Sequence, residues 1–131
     1  MKVFVYGTLK PGEANYQRYC AGKVIKAIAG YTTGRLYSLP MGYPAMTEGK
    51  NKITGVLLTF ANADILTSLD VLEGYQEHQA SELNEYYRQL VPIHSWEDKL
   101  LGTAWSYFMQ ESKVKRYGGV LVDSGVWAGN L

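Results

Sequence analysis

The first strand-like segment, Val3-Phe4-Val5-Tyr6, is apolar at every position. A strand with one face in water alternates apolar and polar residues, whereas an unbroken apolar run needs cover on both faces. Whatever this chain folds into must therefore bury its opening strand between two layers. At 131 residues there is room for one good core, and the chain reads as one domain over 1–131. More strand material follows over Val24–Leu39, where Gly30 and Gly34 predict bulges or a hairpin. A turn-rich stretch, "LPMGYPAM", leads to "TEGKNK", read as a hairpin loop, and then to a strand over Ile53–Phe60. Two later strands, "YYRQLVPIH" and "LLGTAWSYFM", are joined through "SWEDK". A short helix is expected over Asn15–Cys20. The firmest helix covers Asn62–Glu73, with Asn62 as N-cap and Gly74 as the stop. From Glu111 onward the pattern reads as mostly irregular. Strands dominate without regular strand–helix alternation, which favours an α+β domain on a curled or closed sheet.

The charge balance narrows the function. Thirteen basic residues face twelve acidic ones, a poor composition for gripping a phosphate backbone, and the cluster Lys113, Lys115 and Arg116 reads as a solvated surface. Nucleic acid is thus not an expected partner. One cysteine, Cys20, cannot form an internal disulfide, and two separated histidines, His78 and His94, do not assemble a closed zinc site. Neither a metal nor a cofactor is expected. No long apolar segment could cross a bilayer. Tyr6, Gly7, Thr8 and Lys10 arrive too early for a signal peptide. The chain therefore reads as soluble, intracellular and cytoplasmic, with no membrane partner. Eleven tyrosines suit half-buried strand surfaces, and a few of their hydroxyls could line a pocket.

One acid stands out. At about 100° per residue, Ile65, Leu66, Leu69 and Leu72 share one arc of the main helix, and Glu73 falls between Leu69 and Leu66. A carboxylate on the core-facing stripe is costly, and the negative end of the helix dipole adds to that cost. Both effects raise its pKa toward neutrality, where a group can take a proton and return it. Fraying of the helix end, or an ion pair with Arg35 or Arg88, would remove the effect.

Two motifs, "VYGTLKPG" and "LDVLEGY", together resemble the gamma-glutamylcyclotransferase-like family. Between and beyond them "GRLYSLPMGYPAM", "GVLLTF", "YYRQLVPI", "AWSYF" and "SGVW" follow in the family's order. Gln89 and Val126 depart from it, where many relatives carry an arginine and an acid. The resemblance implies a compact mixed β-barrel with flanking helices and a pocket at the loop after the first strand. It also implies cyclisation of a γ-glutamyl amide to 5-oxoproline with release of an amine or amino acid. Glu73 would be the acid–base residue, and Tyr6, Gly7, Thr8 and Leu9 would bind the glutamyl group. Tyr87 and Tyr107 are further pocket candidates. A small γ-glutamyl molecule is the expected partner. The alternative is a non-catalytic module that binds such a ligand without turnover; a hydrolase using Cys20 or Ser124 is a remoter reading.

Overall fold

The computed structural model describes residues 1–129, so Asn130 and Leu131, at the end of the tail read as irregular, lie outside the described residues. Six strands, β1 (Lys2–Val5), β2 (Val24–Ser38), β3 (Pro44–Phe60), β4 (Tyr87–His94), β5 (Leu100–Phe108) and β6 (Val120–Leu121), form one sheet. Their order is β3-β1-β5-β4-β2-β6, and a further pairing of β2 with β3 closes the first five into a barrel. β1 runs parallel to β5 and antiparallel to β3, so the barrel is mixed. The seam between β4 and β2 is slender, resting on the pair Tyr31↔His94.

The all-apolar opening strand is covered on both faces. Phe4 and Tyr6 point into a cluster with Leu36, Met46, Ile53, Leu57, Ile93, Phe108 and Trp127, which draws on all five barrel strands and fills the interior. Val3 and Val5 point the other way, into a cluster with Leu58, Ile65, Leu69, Met109 and Val114. That second layer packs helices α2 (Ile65–Glu73) and α3 (Glu111–Tyr117) onto the barrel wall. A four-residue helix α1 (Tyr16–Tyr19) follows the first loop.

Three expectations need correction. The segment Thr47–Lys52 is not a hairpin loop. β3 runs through it, and the pairing steps from Gly34↔Asn51 to Arg35↔Thr47, so residues 48–50 form a bulge within one long antiparallel pair. The main helix begins at Ile65 with Asp64, not Asn62, at its N-cap; the Asn62 side chain accepts from the Asp64 N–H at 3.0 Å in the turn just before it. The stretch after Glu111 is not irregular at its start, since α3 forms there, and Lys113 is buried and donates to the Asn84 carbonyl at 2.6 Å.

Candidate active site

A cavity of about 260 Å³ opens where β1 ends, between the loop that follows it and the C-terminal end of α2. Tyr6, Gly7, Thr8 and Leu9 line one side. Glu73 and Leu72 line another, with Asn15, Tyr43, Pro44, Glu85, Tyr86 and Tyr107 completing the wall. Six of the seven positions singled out in the sequence thus meet in one place. Tyr87 does not line the cavity: its ring lies toward the barrel-interior cluster and stacks on Phe108 at 5.9 Å. Its neighbour Tyr86 faces the site instead.

The loop is built to expose its amides. The Gly7 carbonyl accepts from the Lys10 N–H at 3.0 Å, and the Thr8 carbonyl accepts from the Asn15 N–H at 2.8 Å. Asn15 Nδ2 also donates to Thr8 Oγ1 at 3.0 Å. Among the described residues, the N–H groups of Gly7, Thr8 and Leu9 find no protein acceptor. Neighbouring free amides at a strand-to-turn transition favour an anion or a carbonyl oxygen. Gly7 is required for close approach, because a Cβ there would sit 2.6 Å from Pro44 Cγ. The loop is fastened from the far end of the chain: Lys10 Nζ donates to the Trp127 carbonyl, and Gly129 N–H donates to Glu13 Oε1 at 3.1 Å.

Glu73 is held just as firmly. Gly74 adopts a left-handed conformation, φ 66°. The Tyr75 N–H returns to the Asp70 carbonyl at 2.9 Å and the Gly74 N–H to Val71 at 3.3 Å, closing the helix without fraying. Two bonds then tie this helix end to the start of β4, from the Tyr86 N–H to the Glu73 carbonyl and from the Glu85 N–H to the Gly74 carbonyl, both 3.1 Å. Among the described residues, no cation pairs with the carboxylate. Arg88 is instead committed to Asp70, at 2.9 and 3.3 Å, and its guanidinium stacks 4.3 Å from the centre of the Trp105 ring. Arg35 is exposed. Burial raises the Glu73 carboxyl to about 7, since removing water disfavours the charged form.

The surrounding tyrosines stay neutral. Tyr6 donates to the Tyr107 carbonyl at 2.7 Å and accepts from the Met46 N–H at 3.2 Å, so its hydroxyl is spent inside the protein while its ring walls the site. Tyr107 donates to Asp70 Oδ1 at 2.6 Å, and Tyr86 to the Pro44 carbonyl at 2.7 Å. Burial, ahead of nearby carboxylates, pushes all three phenols above their ordinary range. Cys20 is fully buried, its thiol pushed up to about 11 by that burial, so it is a poor nucleophile. Ser124 only bridges a turn with Val126.

Sequence reasoning missed Glu85, whose Oε2 accepts from the Tyr117 hydroxyl at 2.9 Å. It closes the polar stretch Gln76–Glu85, which the sequence leaves open between a pocket rim and a surface loop; its N–H donates to the Gly74 carbonyl at 3.1 Å, and it lines the cavity. Tyr43 and Pro44, within the turn-rich stretch "LPMGYPAM", form part of the wall.

A closed mixed barrel carries, at the end of its first strand, a cavity lined by backbone amides and one perturbed carboxylate. Residues 3–129 match the family described as gamma-glutamyl cyclotransferase, AIG2-like, and the chain belongs to that family. It is 30% identical over 125 residues to a Vibrio cholerae protein named "Putative gamma-glutamylcyclotransferase", covering 95% of this chain and 93% of that one. The solution structure of ytfP from Escherichia coli aligns at 30% identity with a TM-score of 0.59, covering 97% and 96% of the two chains. The crystal structure of an aig2-like protein from Mus musculus shares the fold, with a TM-score of 0.71 at 17% identity over 97% of this chain and 87% of that one. No helix among the described residues is long and apolar enough to cross a membrane.

Proposed function

We propose that this protein is a cofactor-independent gamma-glutamylcyclotransferase, cyclising the glutamyl part of a γ-glutamyl amide to 5-oxoproline and releasing the amine. The observation that carries the reading is Glu73: an unpaired carboxyl raised to about 7, facing the free amides of Gly7, Thr8 and Leu9 across one cavity.

The substrate supplies its own nucleophile, so the protein must fold it back on itself and move protons. Holding a reactive conformer contributes about 7–11 kcal/mol in favourable cases. Ionised Glu73 takes one proton from the α-ammonium, and the freed nitrogen attacks the γ-carbonyl carbon. As the C–N bond to the amine breaks, Glu73 returns that proton to the departing nitrogen. Glu73, ionised again, takes the second proton from the ring nitrogen and passes it to the released amine, which leaves as an ammonium, while the third stays as the lactam N–H. The loop amides receive the substrate carboxylate or the developing oxyanion without any cation. The Thr8 hydroxyl, the Tyr6 ring and Tyr107 bound the glutamyl group.

Chromatographic detection of 5-oxoproline across a panel of γ-glutamyl amines tests the proposal. Glu73→Gln is expected to lower kcat by about 10²–10⁴-fold, the usual worth of a general acid–base, with the fold retained. Near-normal turnover in a well-folded variant refutes the role. Tight binding without turnover in the unaltered protein would instead favour a binding module.

A further inference from the structure

We infer that Asp70, held by Arg88, is a positioning residue that takes the only proton of the Tyr107 hydroxyl and so keeps that hydroxyl off Glu73; the inference rests on the acid–base reading of Glu73. The cyclisation itself makes no use of the Asp70–Arg88 pair, yet the pair lies largely buried one helical turn from Glu73. Asp70 and Glu73 are three residues apart on α2, about 60° round the helix, and both side chains lean toward its N-terminus. Asp70 Oδ1 accepts from the Tyr107 hydroxyl at 2.6 Å and from Arg88 Nε at 2.9 Å, and Oδ2 accepts from Arg88 Nη2 at 3.3 Å. The guanidinium is fixed in turn, its central carbon 4.3 Å from the centre of the Trp105 ring and 5.1 Å from that of Tyr75.

Four tyrosines line the cavity with Glu73: Tyr6 at the end of β1, Tyr43 before β3, Tyr86 before β4 and Tyr107 on β5. Among the described residues, Glu85 is the one other charged side chain in the lining, and no hydroxyl donates to Glu73. Three of the tyrosines are buried and give their proton elsewhere: Tyr6 to the Tyr107 carbonyl, Tyr86 to the Pro44 carbonyl and Tyr107 to Asp70. The first two acceptors are backbone groups that the fold supplies whatever the side chains. The third is a side chain, and a cation holds it in place. Burial first, then Asp70, then the charge of Glu73 raise the Tyr107 phenol, so hydroxyl and carboxyl lie within electrostatic reach. A phenol that donated to Glu73 would favour its charged form and weaken it as a base. With that proton committed to Asp70, desolvation acts on Glu73 unopposed.

Carbon-13 NMR titration of the Glu73 carboxyl in the free protein tests this without substrate, the resonance being assigned by its loss in Glu73→Gln. Asp70→Leu combined with Arg88→Met removes the acceptor without changing net charge, an apolar replacement that buried ion pairs often tolerate. In that variant the Glu73 midpoint should fall by about one to two pH units, the effect of one hydrogen bond to a charged group. The rising limb of kcat/KM should move with it, to a lower plateau, because Glu73 has become a weaker base. Adding Tyr107→Phe should return the midpoint, since the freed donor is gone. Tyr107→Phe in the otherwise unaltered protein should leave it in place. If the paired variant does not fold, Asp70→Ala with and without Tyr107→Phe gives the same comparison, the difference separating the hydroxyl from the lost charge. An unmoved midpoint in the paired variant overturns the inference, as does a fall that Tyr107→Phe fails to reverse. A rise in Tyr107→Phe alone also overturns it, because the hydroxyl would then already donate to Glu73. If no γ-glutamyl amide yields 5-oxoproline, the cyclisation reading fails, and the titration still decides where the Tyr107 proton goes.

Discussion

Removing the charge of Glu73 should make the protein more stable above neutral pH, and the pH profile of that gain tests the burial on which the site depends. The carboxyl is raised from 4.5 to about 7 by desolvation. Its folded-state pKa lies above its unfolded one, so the protonated form is the one the fold accepts. Below about pH 4.5 the group is neutral in both states and costs nothing. As pH climbs to about 7, the unfolded chain ionises first and folding is progressively penalised; above that the penalty is constant. The difference of 2.5 pKa units, 7 minus 4.5, at about 1.36 kcal/mol per unit gives about 3 kcal/mol as an upper value. Glu73→Gln has no such titration. Urea unfolding of both proteins at pH 4, 5, 6, 7 and 8.5 should give a stability difference that grows in favour of glutamine between pH 4.5 and 7 and then levels off. Parallel profiles would show the carboxyl to be solvated, and the argument for its catalytic role would fail with them.

The same titration fixes the sign of the rate profile: kcat/KM should rise with pH as Glu73 ionises and flatten above about 7, whereas a profile falling through that range would contradict a base. Gly7→Ala brings a Cβ against the rigid Pro44 ring at 2.6 Å, and should cost about 1–3 kcal/mol and most of the activity, read by thermal melting alongside turnover. Asp70→Asn leaves Arg88, of which only 11% of the side chain is exposed, without its counter-charge. A loss of about 2 kcal/mol is expected in urea; an unchanged midpoint would show that the pair contributes nothing.

What could be read from sequence was local. The position of Glu73 on the apolar arc and the left-handed Gly74 depend on neighbouring residues, and both are found in the structure. The two-sided cover of Val3–Val5 follows from composition alone. The misreadings were settled by distant partners. "TEGKNK" has the makings of a turn, but pairing of β2 with β3 on either side absorbs it as a bulge. The choice between Tyr86 and Tyr87 is a question of strand phase, since successive residues face opposite ways. Here the phase is set by the bond from Tyr86 to Glu73, which no local pattern encodes. α3 has only seven residues, too few for a periodic signal, and Lys113 looked solvated because its acceptor comes from the polar loop before β4.

The fastening of the first loop by the last described residues has a bearing on how the molecule forms. The bond from Lys10 to Trp127 spans 117 positions, and Trp127 plugs the same interior as Tyr6. Contacts so remote along the chain come late in folding, after the entropy of bringing the ends together has been met. During translation β1 and the loop after it are made well before Trp127, yet that loop cannot be pinned until Trp127 emerges. The cavity wall that Tyr6–Leu9 supply is then fixed only after the residues around Trp127 have been made.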